Sequence, residues 1–339
     1  MIGIGVLGCG TIGPLHAEAA SSLDGARLVA VGDVRPERAR AVADRYGVAA
    51  VASLEELLAL SEVDLVCVCT PSGTHAGLGT EIARAGRHVV LEKPVDTDLK
   101  ATEEVIATCR EAGVVLSVIS QHRFDAGVQR LRSALASGSL GDIVLAEARA
   151  WWYRTQAYYD ADAWRGTYAL DGGALSNQGV HLVDLLLYLL GPVESVFARA
   201  KTVAHEMEAE DLLVATLAFK SGVLGVVSVT TASFPGESET LAVTGSQAHV
   251  KLEAGAVATW RDASSTEPGD GAPEPRAASA ALGSRNLAVT AHRAQLQDVV
   301  SAIRDHRPPA ITGEDGLAAL ALIQAAYESA RTGKDVRLA

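Results

Sequence analysis

The sequence predicts an α/β fold of two domains, of which the first is a doubly wound parallel sheet and the second is α+β. Three observations lead to this prediction. Short, continuously apolar runs alternate with helical patterns over roughly the first third of the chain, which is typical of repeated βα units. The rhythm changes after about residue 123, and 339 residues exceed what one compact core usually covers. We therefore expect domains at 1–122 and 123–339.

The strands of the first domain are predicted by their apolar runs, because a parallel sheet that is covered on both faces has no polar side. Polar stretches with helical spacing lie between these runs. The predicted strands are Ile2–Leu7, Leu28–Gly32, Leu65–Cys69, His88–Leu91 and Val114–Ile119, and the clearest predicted helices are Pro36–Tyr46 and Thr97–Ala112.

The second domain is predicted to hold a large, mostly antiparallel, open sheet, because turn signals separate several runs of strand character. A segment rich in Ala, Ser, Gly and Pro, residues 262–286, predicts a long loop. The predicted strands are Ile143–Tyr153, Ser195–Val203, Asp211–Lys220, Val223–Thr231, Glu239–Thr244 and His249–Leu252, and the predicted helices are Phe124–Ser137, Gly179–Leu190, His292–Asp305 and Glu314–Thr332.

Composition limits the kinds of partner. The net charge of −12 disfavours nucleic acid and anionic membranes, and no apolar run approaches the length of a membrane span. The chain starts directly on a strand without a basic leader, so we expect no signal peptide. The four cysteines form no C-x-x-C pair, and we expect buried free thiols, no metal site and a cytoplasmic location.

A glycine loop, Gly8-Cys9-Gly10-Thr11-Ile12-Gly13, follows the first strand and predicts a dinucleotide-binding turn of the Rossmann type. Gly8 allows the tight turn, Gly10 lets backbone approach a pyrophosphate, and Gly13 permits close packing of helix on strand. Thr11 and Ile12 complete the predicted phosphate contacts. Asp33, 20 residues after Gly13, can bind both ribose hydroxyls and repel a 2′-phosphate, which favours NAD over NADP. Arg35 could instead partner a phosphate.

Lys93 follows the strand His88–Leu91, and a lysine at the carboxyl end of a parallel strand points into the crevice where such sheets bind ligands. Pro94 restricts Lys93 to extended backbone geometry. A surface lysine at a strand end is the alternative. The predicted cofactor contacts at this edge are Thr70, Pro71, His75, Glu92, Lys93, Pro94 and Gln121, although a plain βα turn also explains the polar loop at 70–75.

A second constellation lies at Asp171–Asp184. Gly172 and Gly173 allow backbone to approach a ligand. Asn177 and His181 are four residues apart and would share one helix face, with Asp184 three residues further on to orient His181. We predict Lys93 and His181 as the catalytic pair, because Lys93 needs an acid–base partner. A satisfied buried histidine is the alternative.

Aromatic side chains in an otherwise aromatic-poor chain are predicted to line the substrate pocket, since aromatic faces suit the C–H side of pyranose rings. Arg165 could take a carboxylate or the cofactor amide. A packed seam between domains would explain the same residues. The predicted substrate contacts are Asn177, Tyr153, Trp164, Arg165, Asp184 and, more weakly, His292.

These motifs, in this order, resemble the Gfo/Idh/MocA family, the glucose–fructose oxidoreductase and inositol dehydrogenase family. The resemblance covers nearly the whole chain. It implies that Lys93 hydrogen-bonds the reacting oxygen and that His181 accepts the proton. One departure is Asn177, where the family commonly has an aspartate, so Asn177 is expected to bind and not to exchange a proton. The string 176–181 resembles the branch that acts on nucleotide-linked hexuronates and related pyranosides. The further matching motifs are Trp164-Arg165-Gly166, Gly172-Gly173, His181-x-x-Asp184, Pro235-Gly236, Gly313-Glu314 and Tyr327-Glu328-Ser329-Ala330.

The expected function is therefore an NAD-dependent dehydrogenase that transfers hydride between nicotinamide and a secondary carbinol of a sugar, sugar derivative or cyclic polyol. A keto-sugar reductase of deoxysugar biosynthesis, a non-catalytic dinucleotide sensor and a redox-neutral glycosidase that retains NAD are the alternatives. A homodimer or homotetramer is expected, because Val223, Gly225, Val227 and Val229 put one apolar row on a strand of an open sheet.

Overall fold

The computed structural model describes residues 1–262 and 285–338, and the chain divides into two units. The first comprises Met1–Gln121 and Arg285–Leu317, and the second comprises His122–Ser284 and Ala318–Ala339. Most of the predicted loop 262–286 lies outside the described residues.

The first unit contains a six-stranded parallel sheet of order β3-β2-β1-β4-β5-β6. The prediction of a doubly wound parallel sheet is confirmed. The strand order reverses between β1 and β4, which is the point where open α/β sheets bind ligands. The strands are β1 Ile2–Leu7, β2 Ala26–Gly32, β3 Ala49–Val51, β4 Leu65–Val68, β5 His88–Leu91 and β6 Leu116–Val118.

The described residues form ten α-helices, and six of them were predicted from the sequence. Five of these six have ends within two residues of the predicted ends, whereas α9 starts seven residues earlier than predicted. They are α1 Gly13–Ala20, α2 Pro36–Tyr46, α3 Leu54–Leu58, α4 His75–Arg84, α5 Leu99–Ala112, α6 Ala126–Ala136, α7 Gln156–Asp160, α8 Val180–Leu190, α9 Arg285–Asp305 and α10 Gly313–Thr332.

The predicted domain boundary is wrong at the C-terminal end, because α9 belongs to the first unit. Apolar side chains of α9 join the core that β1, β2 and α1 build, and they include Leu296, Val299 and Val300. Gln295 also donates from Nε2 to the carbonyl of Val118 at 2.8 Å and accepts the Ser120 N–H at 3.0 Å. The single domain expected at 123–339 therefore loses residues 285–317 to the dinucleotide-binding unit.

The second unit contains an eight-stranded sheet of order β13-β12-β11-β7-β10-β9-β8-β14. All strand pairs are antiparallel except β7 and β10, which run parallel. The helix α8 packs on one face, where Leu182 and Leu186 share a core with Val227 and Val229. The strands are β7 Ile143–Trp151, β8 Val193–Lys201, β9 Leu212–Phe219, β10 Leu224–Thr230, β11 Thr240–Gly245, β12 Ala248–Glu253, β13 Ala256–Asp262 and β14 Val336–Arg337.

The prediction that the apolar row of β10 contacts another subunit is wrong. Val223, Val227 and Val229 are buried inside the unit, and Gly225 faces the same core. The alternate row of β10 faces outward and begins with Leu224, which is 58% exposed. Side chains of β10 alternate between the two faces of the sheet as predicted, but the sequence alone did not show which of the two faces α8 covers.

Among the helices within residues 1–262 and 285–338, none is both long and apolar enough to cross a membrane.

Candidate active site

The glycine loop follows β1 at the reversal of the first sheet. Gly8 has a φ of +98°, and a Cβ placed on Gly13 would lie 1.9 Å from the Gly8 carbonyl oxygen. These two glycines are thus required by the turn itself. Gly10 differs, because a Cβ there would meet no described atom closer than 3.9 Å. The space beside Gly10 is open, and this is where the backbone of such a loop approaches a pyrophosphate.

Asp33 directly follows β2 and is buried against the glycine loop. Its Oδ2 accepts the Cys9 N–H at 2.7 Å, and its Oδ1 accepts the Arg35 N–H at 2.8 Å. Since a carboxylate oxygen can accept more than one hydrogen bond, both oxygens retain capacity for a ribose hydroxyl. The residues at this edge therefore fit an adenine dinucleotide.

Glu92 is an internal anchor of the E-K-P motif. Its Oε1 accepts from His16 Nε2 at 2.8 Å, and its Oε2 accepts the Lys93 N–H at 2.9 Å. His292 Nε2 lies 3.5 Å from the same Oε1. Burial would raise the pKa of Glu92, but the hydrogen bonds and charges of the two histidines outweigh it and hold this pKa well below its usual range. An ionised glutamate thus fixes the backbone that carries Lys93.

His292, predicted to contact substrate, is buried in this cluster. Its ring lies 5.2 Å from that of His16, edge to face. Burial lowers the pKa of His16 despite the hydrogen bond that it donates to Glu92. A substrate contact of His292 stays a prediction, while the observed geometry gives it a part in holding Glu92.

His75 joins the two loops that were predicted to border the cofactor. It is buried, and its Nδ1 lies 2.8 Å from the Pro94 carbonyl oxygen while its Nε2 lies 2.9 Å from that of Thr70. The Lys93–Pro94 peptide bond is cis. Pro71 lies in the same loop, where its carbonyl accepts the Thr74 N–H at 3.0 Å. The structure therefore brings the loop at 70–75 to the E-K-P motif at the same edge of the sheet.

Gln121 lies after β6 in the first unit and is 7% exposed. Its buried Oε1 has no hydrogen-bond partner among the described residues. Because an unsatisfied buried acceptor is costly, this atom is suited to a bound donor, which agrees with the predicted cofactor contact.

In the second unit, the segment that carries Asn177 and His181 begins with a turn of π-helix at Leu175–Gly179 and continues into α8. The residues Asn177 and His181 thus lie on one continuous helical segment, but their spacing crosses the junction between π and α geometry. Turns of this kind occur mostly inside α-helices and frequently at functional sites.

Glu210 and Tyr327 hold the start of this segment. Glu210 Oε1 accepts the Leu175 N–H at 2.8 Å and the Tyr327 O–H at 3.2 Å, while the Tyr327 hydroxyl oxygen accepts the Gly173 N–H at 3.2 Å. A Cβ on Gly173 would lie 1.6 Å from Glu210 Oε2, so the second glycine is needed for this approach. Burial raises the pKa of Glu210 to about 7, although these hydrogen bonds act against it.

Asp171 orients the side chain of Asn177. The Asn177 amide donates to Asp171 Oδ1, and Asp171 Oδ2 accepts the Gly166 N–H at 2.7 Å. Asp171 is buried and therefore links the W-R-G turn to the helical segment. Sequence reasoning missed this role, because it treated Asp171 only as the start of a glycine turn.

His181 lies edge to face with His122, with ring centres 4.9 Å apart. His122 Nδ1 is 2.7 Å from Asp125 Oδ2, and both histidines line a small cavity with Asp125 and Glu239. Burial would lower the pKa of His122, but the Asp125 hydrogen bond and the charges of Asp125, Glu239 and Asp184 raise it. Sequence reasoning missed His122 and Asp125, although their three-residue spacing after a predicted strand was a usable signal.

Asp184 forms a buried, two-pronged ion pair with Arg123. Arg123 Nε donates to Oδ2 at 2.9 Å, and its Nη2 donates to Oδ1 at 2.6 Å. Both side chains are nearly inaccessible to solvent. This pair joins α8 to the segment before α6. Both carboxylate oxygens of Asp184 accept hydrogen bonds from Arg123, and the orientation of His181 by Asp184 stays a prediction.

The predicted aromatic pocket residues occupy the segment after β7. Tyr153 packs edge to face on Phe234, with centres 5.2 Å apart, and Trp164 lies under the Arg165 guanidinium at 4.6 Å. Arg165 Nε is 3.7 Å from Asp162 Oδ2, too far for a hydrogen bond.

Comparison with known proteins gives two family models that match this chain. Residues 2–120 match the oxidoreductase family with an NAD-binding Rossmann fold, and residues 128–251 match the GFO/IDH/MocA C-terminal domain. The myo-inositol 2-dehydrogenase of Thermotoga maritima is 31% identical over 99% of this chain and 98% of its own length.

Solved structures are similar over the same extent. The WlbA dehydrogenase of Bordetella pertussis, in complex with NADH and UDP-GlcNAcA, is 36% identical with a TM-score of 0.87, over 100% of this chain and 99% of that one. GenD2 from gentamicin A biosynthesis, in complex with NAD, is 27% identical with a TM-score of 0.85, over 100% and 96%.

Proposed function

Since the chain belongs to the GFO/IDH/MocA family of NAD-binding oxidoreductases, we propose that it is an NAD-dependent dehydrogenase that uses Lys93 and His181 to oxidise a secondary carbinol of a sugar, sugar derivative or cyclic polyol. The observation that carries the proposal is that hydrogen bonds of buried side chains hold the backbone segments on which Lys93 and His181 lie.

The glycine loop and Asp33 would hold the cofactor. Gly10 leaves room for the pyrophosphate, and Asp33 offers two oxygens to the adenine ribose. A carboxylate there also repels a 2′-phosphate, which supports NAD over NADP. When bound, NAD accepts the hydride from the substrate carbon.

Lys93 would donate a hydrogen bond to the reacting oxygen and stabilise the negative charge that develops on it. Its backbone is fixed by the ionised Glu92 on one side and by the Pro94 carbonyl contact to His75 on the other. His181 would take the hydroxyl proton, and Asn177 would bind a neighbouring hydroxyl through its amide. Asp171 presets the orientation of that amide.

The experiment is a cofactor-linked screen in which NAD and NADP are each tried against free pyranoses, inositols, hexuronates and nucleotide sugars, with NADH or NADPH formation followed by absorbance. The best substrate is then used to compare Lys93→Ala and His181→Asn with the parent chain. Each substitution should lower kcat by about 10²–10³-fold while NAD binding is unchanged, because one donor or acceptor of the transition state is lost.

Matched controls are Lys100→Ala and His306→Asn, which change an exposed lysine and an exposed histidine of the same chain. Both should keep the parent kcat. Turnover near the parent value in Lys93→Ala or His181→Asn would refute that residue's role, and tight NAD binding without turnover on any member of the panel would refute the dehydrogenase itself.

We also propose that the chain forms a homodimer or homotetramer through the outward face of its second sheet. Leu145, Val214 and Leu224 are each more than 40% exposed there, and cross-strand pairing puts Leu145 opposite Leu224. Apolar clusters of this kind mark protein interfaces. Leu224→Asp should reduce the mass measured by light scattering, while Val34→Asp on the first unit should not; a parent chain that is monomeric would refute the proposal.

A cytoplasmic location is proposed from the cysteines. All four thiols are free and buried, and such thiols are typical of reducing compartments. Localisation of a tagged chain by fractionation tests this, and recovery from an oxidising compartment would contradict it.

A further inference from the structure

Two arginines of the second unit lie against aromatic rings. The Arg165 guanidinium is 4.3 Å from the ring centre of Tyr158 and 4.6 Å from that of Trp164. The Arg154 guanidinium is 5.2 Å from the ring centres of both Trp152 and Tyr158. Tyr158 is thus contacted by both cations. These five residues are called the arginine–aromatic cluster below.

Both guanidinium groups of the cluster keep unused donors within the described residues. Arg154 Nη1 donates to the Tyr153 carbonyl oxygen at 3.3 Å, and Arg165 forms a long ion pair with Asp162, with Nε and Oδ2 3.7 Å apart. The Nε atoms of both arginines and Nε1 of Trp152 are buried without an acceptor in the described part of the chain. Half-buried cations with unmatched donors are costly unless an anion meets them.

Tyr158 does not supply the missing negative charge. Burial and the charge of Asp171 raise the pKa of its hydroxyl, although the charges of Arg165 and Arg154 act against this. The phenol is therefore neutral at neutral pH, and it offers Arg154 only an uncharged acceptor. An anion from outside the cluster would meet the unused guanidinium donors.

The cluster is joined to the substrate-binding segment by a single carboxylate. Gly166, next to Arg165, donates its N–H to Asp171 Oδ2 at 2.7 Å, and Asp171 Oδ1 accepts from the Asn177 amide. The Arg154 carbonyl oxygen lies 2.9 Å from His205 Nε2, whose other nitrogen is 2.9 Å from Asp211 Oδ2. The turn after Arg165 is therefore tied to Asn177 through Asp171, and the backbone at Arg154 is held by His205 and Asp211.

We infer that Arg154 and Arg165 form a subsite for an oxyanion, a carboxylate or a phosphate, that the sugar substrate carries. The inference rests on the proposed sugar dehydrogenase and narrows its substrate class from neutral to anionic sugars. Guanidinium groups suit this role because their planar fork matches carboxylate and phosphate oxygens in pairs. The tryptophan faces of the cluster are suited to the C–H side of the sugar ring.

The test compares three ligands that share the glucose ring and differ in their charged group: D-glucose has none, D-glucuronate has a carboxylate at C6, and D-glucose 1-phosphate has a phosphate at C1. Binding to the NADH-saturated parent chain is measured by calorimetry, so that no turnover is needed. At least one anionic ligand should bind tenfold or more tightly than glucose, and the two anions separate a carboxylate site from a phosphate site. Neither anion binding more tightly than glucose would overturn the inference.

Arg154→Gln and Arg165→Gln should each weaken the preferred anion by about 10–100-fold while changing glucose binding less than about twofold, because a charge-assisted contact is lost only with the anion. Arg165→Lys keeps the charge but not the planar fork of donors, so its affinity for the preferred anion should lie between that of Arg165→Gln and that of the parent. The control is Arg130→Gln, an exposed arginine 4.2 Å over Trp260 in the same unit, which should bind all ligands as the parent does.

An equal loss of glucose and anion binding would overturn the subsite, and so would a loss confined to NADH. The two proposals fail separately. Anion binding that depends on both arginines, but without NADH formation from any sugar, would keep the subsite and refute the dehydrogenase. Oxidation of neutral sugars with kinetics unchanged by either substitution would do the reverse.

Discussion

Replacing Glu210 with Gln should make the second unit more stable at alkaline pH than the parent, and the gain should vanish in acid. Burial raises the pKa of Glu210 from an ordinary 4.5 to about 7, so the folded chain holds its proton more tightly than the unfolded chain does. The stability that this proton contributes is fully present below about pH 4.5 and is lost as pH rises to about 7. At 1.36 kcal/mol per pH unit, the loss is about 3 kcal/mol.

Gln cannot ionise, and its Oε1 can still accept from Leu175 and Tyr327 as the glutamate oxygen does. The free energy of unfolding of Glu210→Gln, minus that of the parent, should therefore rise by about 2.5 kcal/mol between pH 5 and pH 8. Urea unfolding followed by tryptophan fluorescence measures this quantity for the second unit, because all four tryptophans lie there. They are Trp151, Trp152, Trp164 and Trp260.

The control is Glu208→Gln, which removes an exposed carboxyl two residues away and leaves the contacts of Glu210 in place. A difference for Glu210→Gln that is the same at both pH values would refute the reasoning, since it would mean that the buried carboxyl titrates alike in the folded and unfolded chain.

Three further outcomes are expected. Asp33→Ser should raise KM for NAD at least tenfold and lower the preference for NAD over NADP in steady-state assays, since the carboxylate that repels a 2′-phosphate is gone; an unchanged preference would contradict the role of Asp33. Asp125→Asn should lower the pKa of His122 in an NMR titration of the imidazole signals, because the Asp125 hydrogen bond and charge raise this pKa. Protonated His122 stabilises the parent at acid pH, and this stabilisation is lost as pH rises through the folded pKa. In Asp125→Asn the stabilisation should be smaller. Thiol reagent at pH 8 should label the folded chain very slowly, because burial raises the pKa of Cys9, Cys67 and Cys109 to about 12 and that of Cys69 well above its ordinary value; rapid labelling without denaturant would contradict this.

Local pattern was sufficient for elements with a strong signal in their own residues. The strands β1 and β5 have the predicted bounds because they are continuous apolar runs, and the helix α2 has them because a proline marks its start. The short edge strand β3 has two exposed residues of three, and so it carries no apolar run to detect. The helix α9 was predicted as a helix, but its place in the first unit depends on contacts with α1 that join residues nearly 300 positions apart.

The candidate site divides along the same line. Residues that act through a motif, such as Gly8, Asp33 and Lys93, were identified because spacing along the chain fixes their place at a strand end. Glu210 and Tyr327 were not, although they hold the backbone that carries Asn177. Their partners lie 35 and more than 150 residues away in the sequence, and no local periodicity encodes such a pairing.

Asn177 shows why the supporting residues decide the chemistry. As an isolated substitution for aspartate, it only removes a titratable group. In the structure the Asn177 amide donates a hydrogen bond to the buried Asp171. The second oxygen of Asp171 accepts the N–H of Gly166, in the turn after Arg165. An aspartate at 177 would set two carboxylates against each other here, and one of them would have to keep a proton. The amide removes that repulsion, so Asp171 can accept hydrogen bonds on both oxygens, and the orientation of Asn177 and the position of the arginine–aromatic cluster become linked through one side chain.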